Sequence, residues 1–577
     1  MDKLIEEPGL QITTLLLAVP IIFALILILI KIYRMIDNIL KKKELRRIHA
    51  SLAQLKPNEI SALQERKKEL EFQLFGNELT TQTHVKDPRG LVNRANEVHE
   101  VNFLVEKRKE NRQIQIPQEE KKLILWFLGC AVFWLLAGTT VGVYLGIKFV
   151  APDADHLSWL SFGRLRPVHT NMVFWGWASM AMVGLSYYVI PRVGNTKVWN
   201  LNIGYWTLIL MNSAVFLGSI SLMAGINNSG GEYREYIWPI MALFAAGIIA
   251  SIYNHFKTIA NRKTTEIYVS NWYIVSAMMF VVVILVVAYF PFWQDGLGET
   301  ITQGYYMHQG VGMWFMFFNL GLMYYFLPQE LNSPVYSYSL SILAFYTQIL
   351  FYTLIGTHHF IFSAIPWWMQ TVAIIASVGM VIPVAAGSVN FMMTIRGSWH
   401  RIKWSYILPF YVVSVIFYFT GSMQGTVEAF RTTNLLWHFT DFTVAHSHLT
   451  MYGIITFMLW SFMYTLIPRI TGNEPRSLLV GLHFWMALIG VLVYTISLMI
   501  GSTEKGILWM DKKPFIESVI TMVPYWLWRA IGGTMMWISH IIFAYNFYRM
   551  VKPRKDVKIP QSPIEFLEII QSQQKNA

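Results

Sequence analysis

"HFTDFTVAHSHLTMYG", residues 438–453, decides the architecture. Its second half runs into a long apolar stretch, yet it carries histidines at 446 and 448. On an α-helix, residues two apart project about 200° from each other, so His446 and His448 face different sites. One helix then contributes to two prosthetic groups, one on each side. A buried imidazole costs free energy unless it is paired or ligated, and ionisable groups inside a membrane mark function.

The surroundings identify the solvent. Of 577 residues, 54% are hydrophobic and 14% charged, against about 25% charged in soluble domains. The chain therefore reads as an all-α, multi-pass membrane protein. Its net charge of +12 needs no nucleic-acid partner, because basic cytoplasmic loops produce such an excess. The single cysteine, Cys130, excludes a disulfide within the chain, and the absence of CxxCH excludes an attached c-type haem.

Apolar runs of spanning length fall at 10–32, 122–149, 167–190, 200–224, 236–256, 268–292, 305–327, 338–362, 366–394, 405–425, 443–468, 478–500 and 522–549. The first is too long for a signal-peptide core and reads as a retained helix. The division is then an additional N-terminal transmembrane helix (1–32), a charged cytoplasmic linker or docking arm (33–121), a twelve-helix core (122–550) and a cytoplasmic tail (551–577). "KKKELRR" (41–47) places the end of the first helix in the cytoplasm. "PRVGNTK", "KTIANRKTTE", "RGSWHRIK", "PRITGNEPR" and "RMVKPRKDVK" then fall on that side, and all are basic. "NNSGGEYRE", "WQDGLGE" and "TEKGILWMDKK" fall opposite, and they are acidic or mixed.

Six of the fifteen histidines lie inside four of these twelve helices. His169 is in the second ("FGRLRPVHTN"), His308 in the sixth ("YYMHQGVGMWF"), His358 and His359 in the seventh ("YTLIGTHHF"), and His446 and His448 in the tenth. Adjacent residues lie about 100° apart on a helix, so His358 and His359 can converge on one ion. His308 would complete a three-histidine site with an open position, suited to copper, zinc or iron. His169 would pair with one tenth-helix histidine across a six-coordinate haem, and the other would hold a five-coordinate haem. Tyr352, seven residues before His359, lies two turns away on the same face.

At this point a family enters. From about residue 122 to 550, the chain resembles the catalytic subunit of C-family haem–copper oxidases, the cbb3-type cytochrome c oxidases. "FGRLRPVHTN", "PVYSYSLSI", "GTHHF" and "HFTDFTVAHSH" carry the resemblance in order. It implies the twelve-helix haem–copper oxidase core, with His169 and His448 as axial ligands of a low-spin haem b. His446 would be the proximal ligand of a high-spin haem b, and His308, His358 and His359 would hold copper. It also implies that Tyr352 is the redox-active tyrosine, covalently joined to His308. His438 and Arg166 match positions that meet haem propionates, and Glu232 and Glu235 match a calcium and propionate region. The implied function is a terminal respiratory oxidase of the bacterial inner membrane. It would reduce dioxygen to water with electrons from membrane-bound c-type cytochrome subunits and with proton uptake. Tyr336, Ser337, Tyr338 and Ser339 are either the start of a proton route toward Tyr352 or a helix N-terminus with capping hydroxyls.

The departures are specific. Gln424 stands where these oxidases usually have a glutamate, 22 residues before the high-spin ligand, and Thr357 stands where proline is usual. Glu428, one turn beyond Gln424, either supplies the missing acid or lies solvated in an external loop, "GTVEAF". The rival reading is a nitric oxide reductase with non-haem iron in the copper position. Its c-type members carry a glutamate ligand four residues after the sixth-helix histidine, here Gly312, and lack the seventh-helix tyrosine. A non-catalytic haem-binding subunit or a transporter is the reading from another class.

Overall fold

The computed structural model describes residues 116–228, 231–290, 295–403 and 405–552, with isolated positions between 22 and 66. The expected N-terminal helix, most of the arm and the tail lie outside these described residues. Eleven helices among the described residues are long and apolar enough to cross a membrane. In chain order they are α1 Gln118–Val150, α2 Phe162–Val193, α3 Leu201–Ala224, α4 Trp238–Ala260, α5 Val269–Tyr289 and α6 Leu297–Leu331. Then follow α7 Tyr338–Phe360, α8 Trp367–Ile395, α9 Leu408–Glu428, α10 Phe442–Thr471 and α11 Ser477–Met510. α12, Phe515–Val551, is 37 residues long but is not among the eleven. It buries Arg529, Ser539, His540 and Asn546, polar groups that a hydropathy reading penalises. α1 starts at Gln118, inside the segment expected to be arm.

Burial sorts the helices. In α2, α6 and α10, 94% of the most apolar window is buried, against 39–61% in the other eight spans. The inner helices thus recur at every fourth position, and each carries ligand-candidate histidines. Each also widens into a π-helical stretch just after those histidines: Met172–Ala178, Gly310–Met316 and Leu449–Thr456. Such turns, with hydrogen bonds reaching one residue further, gather at functional sites. Near its other end each inner helix holds a proline in a related run: "YYVIP" (187–191), "YYFLP" (324–328) and "YTLIP" (464–468).

One expected loop is helical, and so is most of a stretch that the sequence leaves open. α11 continues to Met510, through much of "TEKGILWMDKK". Its charges are paired, with the Tyr525 hydroxyl donating to Glu504 at 2.9 Å and Lys505 lying 3.6 Å from Asp441. α9 continues to Glu428, so the "GTVEAF" stretch is not an external loop up to that residue. Conversely, the helical bonding of α7 tightens to a 3₁₀ turn over Gly356–Phe360. That turn is pressed against α6. A Cβ on Gly356 would lie 2.7 Å from the Tyr305 Cα, and one on Gly304 would lie 2.7 Å from the Gly356 carbonyl oxygen. Two glycines at the crossing therefore let the histidine pair approach His308.

Candidate metal and haem centre

His308, His358 and His359 converge as expected. One nitrogen from each lies within 4.8 Å of the others, the one such group able to hold an ion among the described residues. Ring centroids are 4.4–5.0 Å apart. The Ser377 hydroxyl donates to the Ala373 carbonyl (2.9 Å), so its oxygen accepts from His358 Nδ1 at 2.6 Å. That hydrogen bond leaves Nε2 of His358 for an ion. His308 Nδ1 and His359 Nε2 face each other at 2.8 Å, while His308 Nε2 is buried without a hydrogen-bond partner. Three neutral imidazoles with an open position suit a borderline-soft transition ion, so the residues fit copper, iron or zinc.

Tyr352 belongs to this centre. Its ring centroid lies 5.1 Å from that of His308, and Gln309 Nε2 donates to its backbone carbonyl. Gly312 makes the room, since a Cβ there would fall 1.8 Å from Tyr352 Cε1. The tyrosine ring thus fills the space over residue 312. No longer side chain can stand there while Tyr352 keeps its place.

The second centre forms between α2 and α10. The rings of His169 and His448 lie 6.4 Å apart between centroids and within 13° of parallel. Two imidazoles bound from opposite sides to one ion, at about 2 Å per bond plus about 1 Å to each ring centre, would stand about 6 Å apart. Nδ1–H of His169 donates to the Gly138 carbonyl (2.7 Å), and Nδ1–H of His448 to the Val444 carbonyl (2.9 Å). Both tautomers are thereby fixed with Nε2 free to ligate. These rings line a cavity of about 360 Å³ together with Arg166, Glu232, Tyr233 and Arg529. Arg529 is 9% exposed; its Nη1 lies 3.7 Å from Asp441 Oδ1, an ion pair without a hydrogen bond, and neither Nη1 nor Nε has a hydrogen-bond partner. Buried donors without a hydrogen bond are costly, and a further anionic group could meet them. The in-line histidines and an arginine with donors to spare together fit a haem with its carboxylates at that edge.

Gly142 is the tightest point of this wall, because a Cβ there would lie 2.6 Å from His169 Cε1. Gly142→Ala is expected to swing the His169 ring and convert the six-coordinate haem spectrum toward a five-coordinate one. The other haem should be unaffected. Optical spectra of the reduced protein check this, and an unchanged six-coordinate band would count against the pairing.

His446 faces away from His448, as their spacing requires. Its Nδ1–H donates to Gln424 Oε1 at 3.0 Å, and Glu428 Oε1 stands 3.3 Å from the same nitrogen. The Glu428 oxygen is close but has no aligned hydrogen bond, so the Nδ1–H points at the amide. Gln424 and Glu428 thus both reach the histidine expected to be proximal. A Cβ on Gly425, between them, would meet the His446 ring at 3.1 Å.

The remaining expected residues divide. Arg166 and Glu232 pair with each other at the cavity. Glu235 does not line it; it is buried and accepts from Asn171 Nδ2 at 2.9 Å. Burial pushes the Glu235 carboxyl up to about 7. Glu232 thus faces the cavity and Glu235 does not. His438 lies in the loop before α10, stacked on Phe439 with centroids 4.0 Å apart, and burial lowers its pKa. It does not line the cavity. Of the hydroxyl run before α7, Tyr336 and Tyr338 are exposed, and Ser337 caps the helix by accepting from Leu340 N at 3.2 Å. The capping reading holds for that serine. Deeper, Tyr324 and Tyr418 hydroxyls and Gln348 Oε1 are buried without partners.

Sequence reasoning passed over Arg529, Ser377 and Gly142. An arginine inside an apolar run, as in "WLWRAIGG", marks function by itself and could have been found. The other two depend on contacts between helices.

With the geometry established, comparison with known proteins gives one consistent answer. Residues 122–535 match the family "Cytochrome C and Quinol oxidase polypeptide I". The "Cbb3-type cytochrome c oxidase subunit CcoN1" of Stutzerimonas stutzeri is 32% identical over 455 residues, covering 75% of this chain and 95% of that protein. "Cytochrome c oxidase subunit 1" of Rhodobacter capsulatus is 31% identical over 452 residues, with 73% and 83% covered. A haem–copper terminal oxidase dimer solved by cryo-electron microscopy shares the fold with TM-score 0.64 at 14% identity, covering 79% of this chain and 90% of that one. The chain belongs to the cytochrome c and quinol oxidase polypeptide I family of haem–copper oxidoreductases, with cbb3-type relatives among its members.

Proposed function

We propose that this chain is the oxygen-reducing catalytic subunit of a terminal respiratory oxidase in a bacterial inner membrane. It takes electrons from membrane-bound c-type cytochrome subunits and protons from the cytoplasm. α12 serves as the twelfth core span, residues 1–32 as an additional transmembrane helix, 33–121 as a docking arm and 551–577 as a tail. His169 and His448 would hold the low-spin haem b, His446 the high-spin haem b, and His308, His358 and His359 the copper. When bound, these groups supply the electrons and the activation of dioxygen.

The protein residues have their own tasks. Ser377 and the Gly138 and Val444 carbonyls hold three imidazoles in ligating tautomers. The Tyr352 phenol supplies a proton and an electron beside the copper, and the partnerless Nε2 of His308 is the atom left for its covalent link. The orphaned groups of Tyr324, Tyr418 and Gln348 suit a water file bringing protons to Tyr352.

One observation carries the choice of dioxygen over nitric oxide: the Tyr352 ring occupies the place above Gly312 that an acidic iron ligand would need. Metal analysis of purified protein tests it. One copper and two b-type haems per chain are expected; non-haem iron in copper's stead would favour the reductase. Glu232 and Glu235 keep the calcium and propionate region that the family resemblance implies.

Replacing the acid beside His446 should be felt. Glu428→Gln is expected to slow turnover by roughly tenfold, about 1.4 kcal/mol of barrier, because the amide that replaces the carboxyl cannot exchange a proton. Gln424→Ala should do less, because a neutral acceptor is lost and water can replace it. Oxygen consumption checks both variants, and a wild-type rate in Glu428→Gln would remove the carboxylate from the mechanism.

A further inference from the structure

Beyond the haem and copper ligands, the described core holds two more buried tyrosine–histidine pairs. Tyr452 OH lies 3.1 Å from His540 Nε2, and His540 Nδ1 lies 3.1 Å from Thr139 Oγ1. Thr139 donates to the Leu135 carbonyl at 2.6 Å. Its oxygen therefore accepts from His540, and Tyr452 donates to the free Nε2. Tyr464 repeats the arrangement. Asn546 Nδ2 donates to its oxygen at 3.0 Å, and its hydroxyl meets His483 Nδ1 at 3.1 Å. Both histidines are at most 1% exposed, and neither has a task in the reaction described above.

Trp460 links the pairs. Its ring stands 5.4 Å from that of Tyr452 and 4.3 Å from that of His483, and Tyr464 follows one turn later on α10. Tyr464 in turn lies 6.4 Å from Tyr406, a partly exposed residue among the basic loops whose hydroxyl donates to Glu474. At the other end, Tyr452 and His540 line the cavity between His169 and His448. A proton wire would break at the indole, which has no lone pair to pass a proton on. An electron path would not, because Tyr452 beside Trp460 and Tyr464 one turn later are both oxidisable rings.

We propose that Tyr452, Trp460, Tyr464 and Tyr406 form a discharge path for stray oxidising equivalents, running from the haem cavity to the cytoplasmic face. It rests on the haem-bearing cavity of the proposed function. A one-electron oxidising equivalent, generated by peroxide at the haem that keeps an open position and passed to the haem of this cavity, takes an electron from Tyr452, whose O–H breaks as its proton passes to His540. Trp460 then gives Tyr452 an electron, and the proton returns from His540 to the phenol oxygen. Tyr464 reduces the tryptophan cation and passes its proton to His483. Tyr406 reduces Tyr464, which recovers its proton, and gives its own to the Glu474 carboxylate. A soluble donor of the ascorbate or thiolate class finally refills Tyr406 with one electron, while Glu474 returns the proton.

The test treats oxidised holoenzyme with hydrogen peroxide in the presence of a nitroso spin trap, then maps adducts by peptide mass. Wild type should carry the adduct on Tyr406. Trp460→Phe and Tyr464→Phe should lose it, with faster bleaching of haem by peroxide. Tyr464→Phe keeps the ring and removes only the hydroxyl, so it remains informative if Trp460→Phe does not fold. A Tyr406 adduct at wild-type yield in a variant with native haem spectra overturns the path, as does its absence from wild type. Peroxide needs haem but neither copper nor dioxygen, so failure of the oxidase reading would appear separately, in the metal analysis.

Discussion

Tyr352→Phe should abolish dioxygen reduction while both haem spectra and the metal content remain at wild-type levels. The phenol contributes what its neighbours cannot, one electron and one proton delivered together next to the copper ligands. Its ring packs over Gly312 and beside His308, so phenylalanine should keep the shape and lose only the oxygen. Turnover is expected to fall by on the order of a hundredfold or more, about 3 kcal/mol of barrier. Oxygen-electrode rates, with metal analysis on the same sample, check this. Surviving oxygen turnover would remove Tyr352 from the chemistry, and rapid nitric oxide turnover would favour the reductase reading.

The second large effect is expected from His169→Ala, which should remove the six-coordinate haem and leave the three-histidine centre loaded. The two imidazoles face each other across one cavity, each held by a carbonyl behind it. Removal of either leaves the other without its counterpart. Electron entry then fails, so turnover should drop to background although copper binding persists. The complementary His308→Ala should lose the metal and keep the six-coordinate spectrum. If His169→Ala retains that spectrum, His448 has another partner and the assignment of sides on α10 is wrong.

Much of this arrangement was legible in the sequence because it is periodic. Apolar runs gave the eleven spans seen among the described residues, and the spacing of His446 and His448 put the two rings on different sides of one helix. Helix ends were less legible where charges are paired. Glu504 and Lys505 look like a boundary until Tyr525 and Asp441 are seen to satisfy them. The position of Glu428 turned on whether α9 continued by one turn, which hydropathy alone does not decide. The glycines were silent for another reason. Gly142, Gly304, Gly312 and Gly356 matter because of what lies across from them on another helix, and no single-helix pattern records that. The threefold "YYVIP" pattern was readable, and it points to the helices that ended up innermost.

The placement of the two facing histidines on α2 and α10 has a consequence for how the protein is made. His169 and His448 are separated by nearly half of the chain. At translation rates of about 5–20 residues per second, His169 waits for tens of seconds before its counterpart exists. During that interval the nascent chain holds an arginine, a glutamate and an imidazole around a crevice with one wall missing. Haem delivered early would be held from one side only and could leave again. Loading is thus expected to follow synthesis of the tenth helix, and chains arrested before it should be cleared by proteolysis without ever turning red.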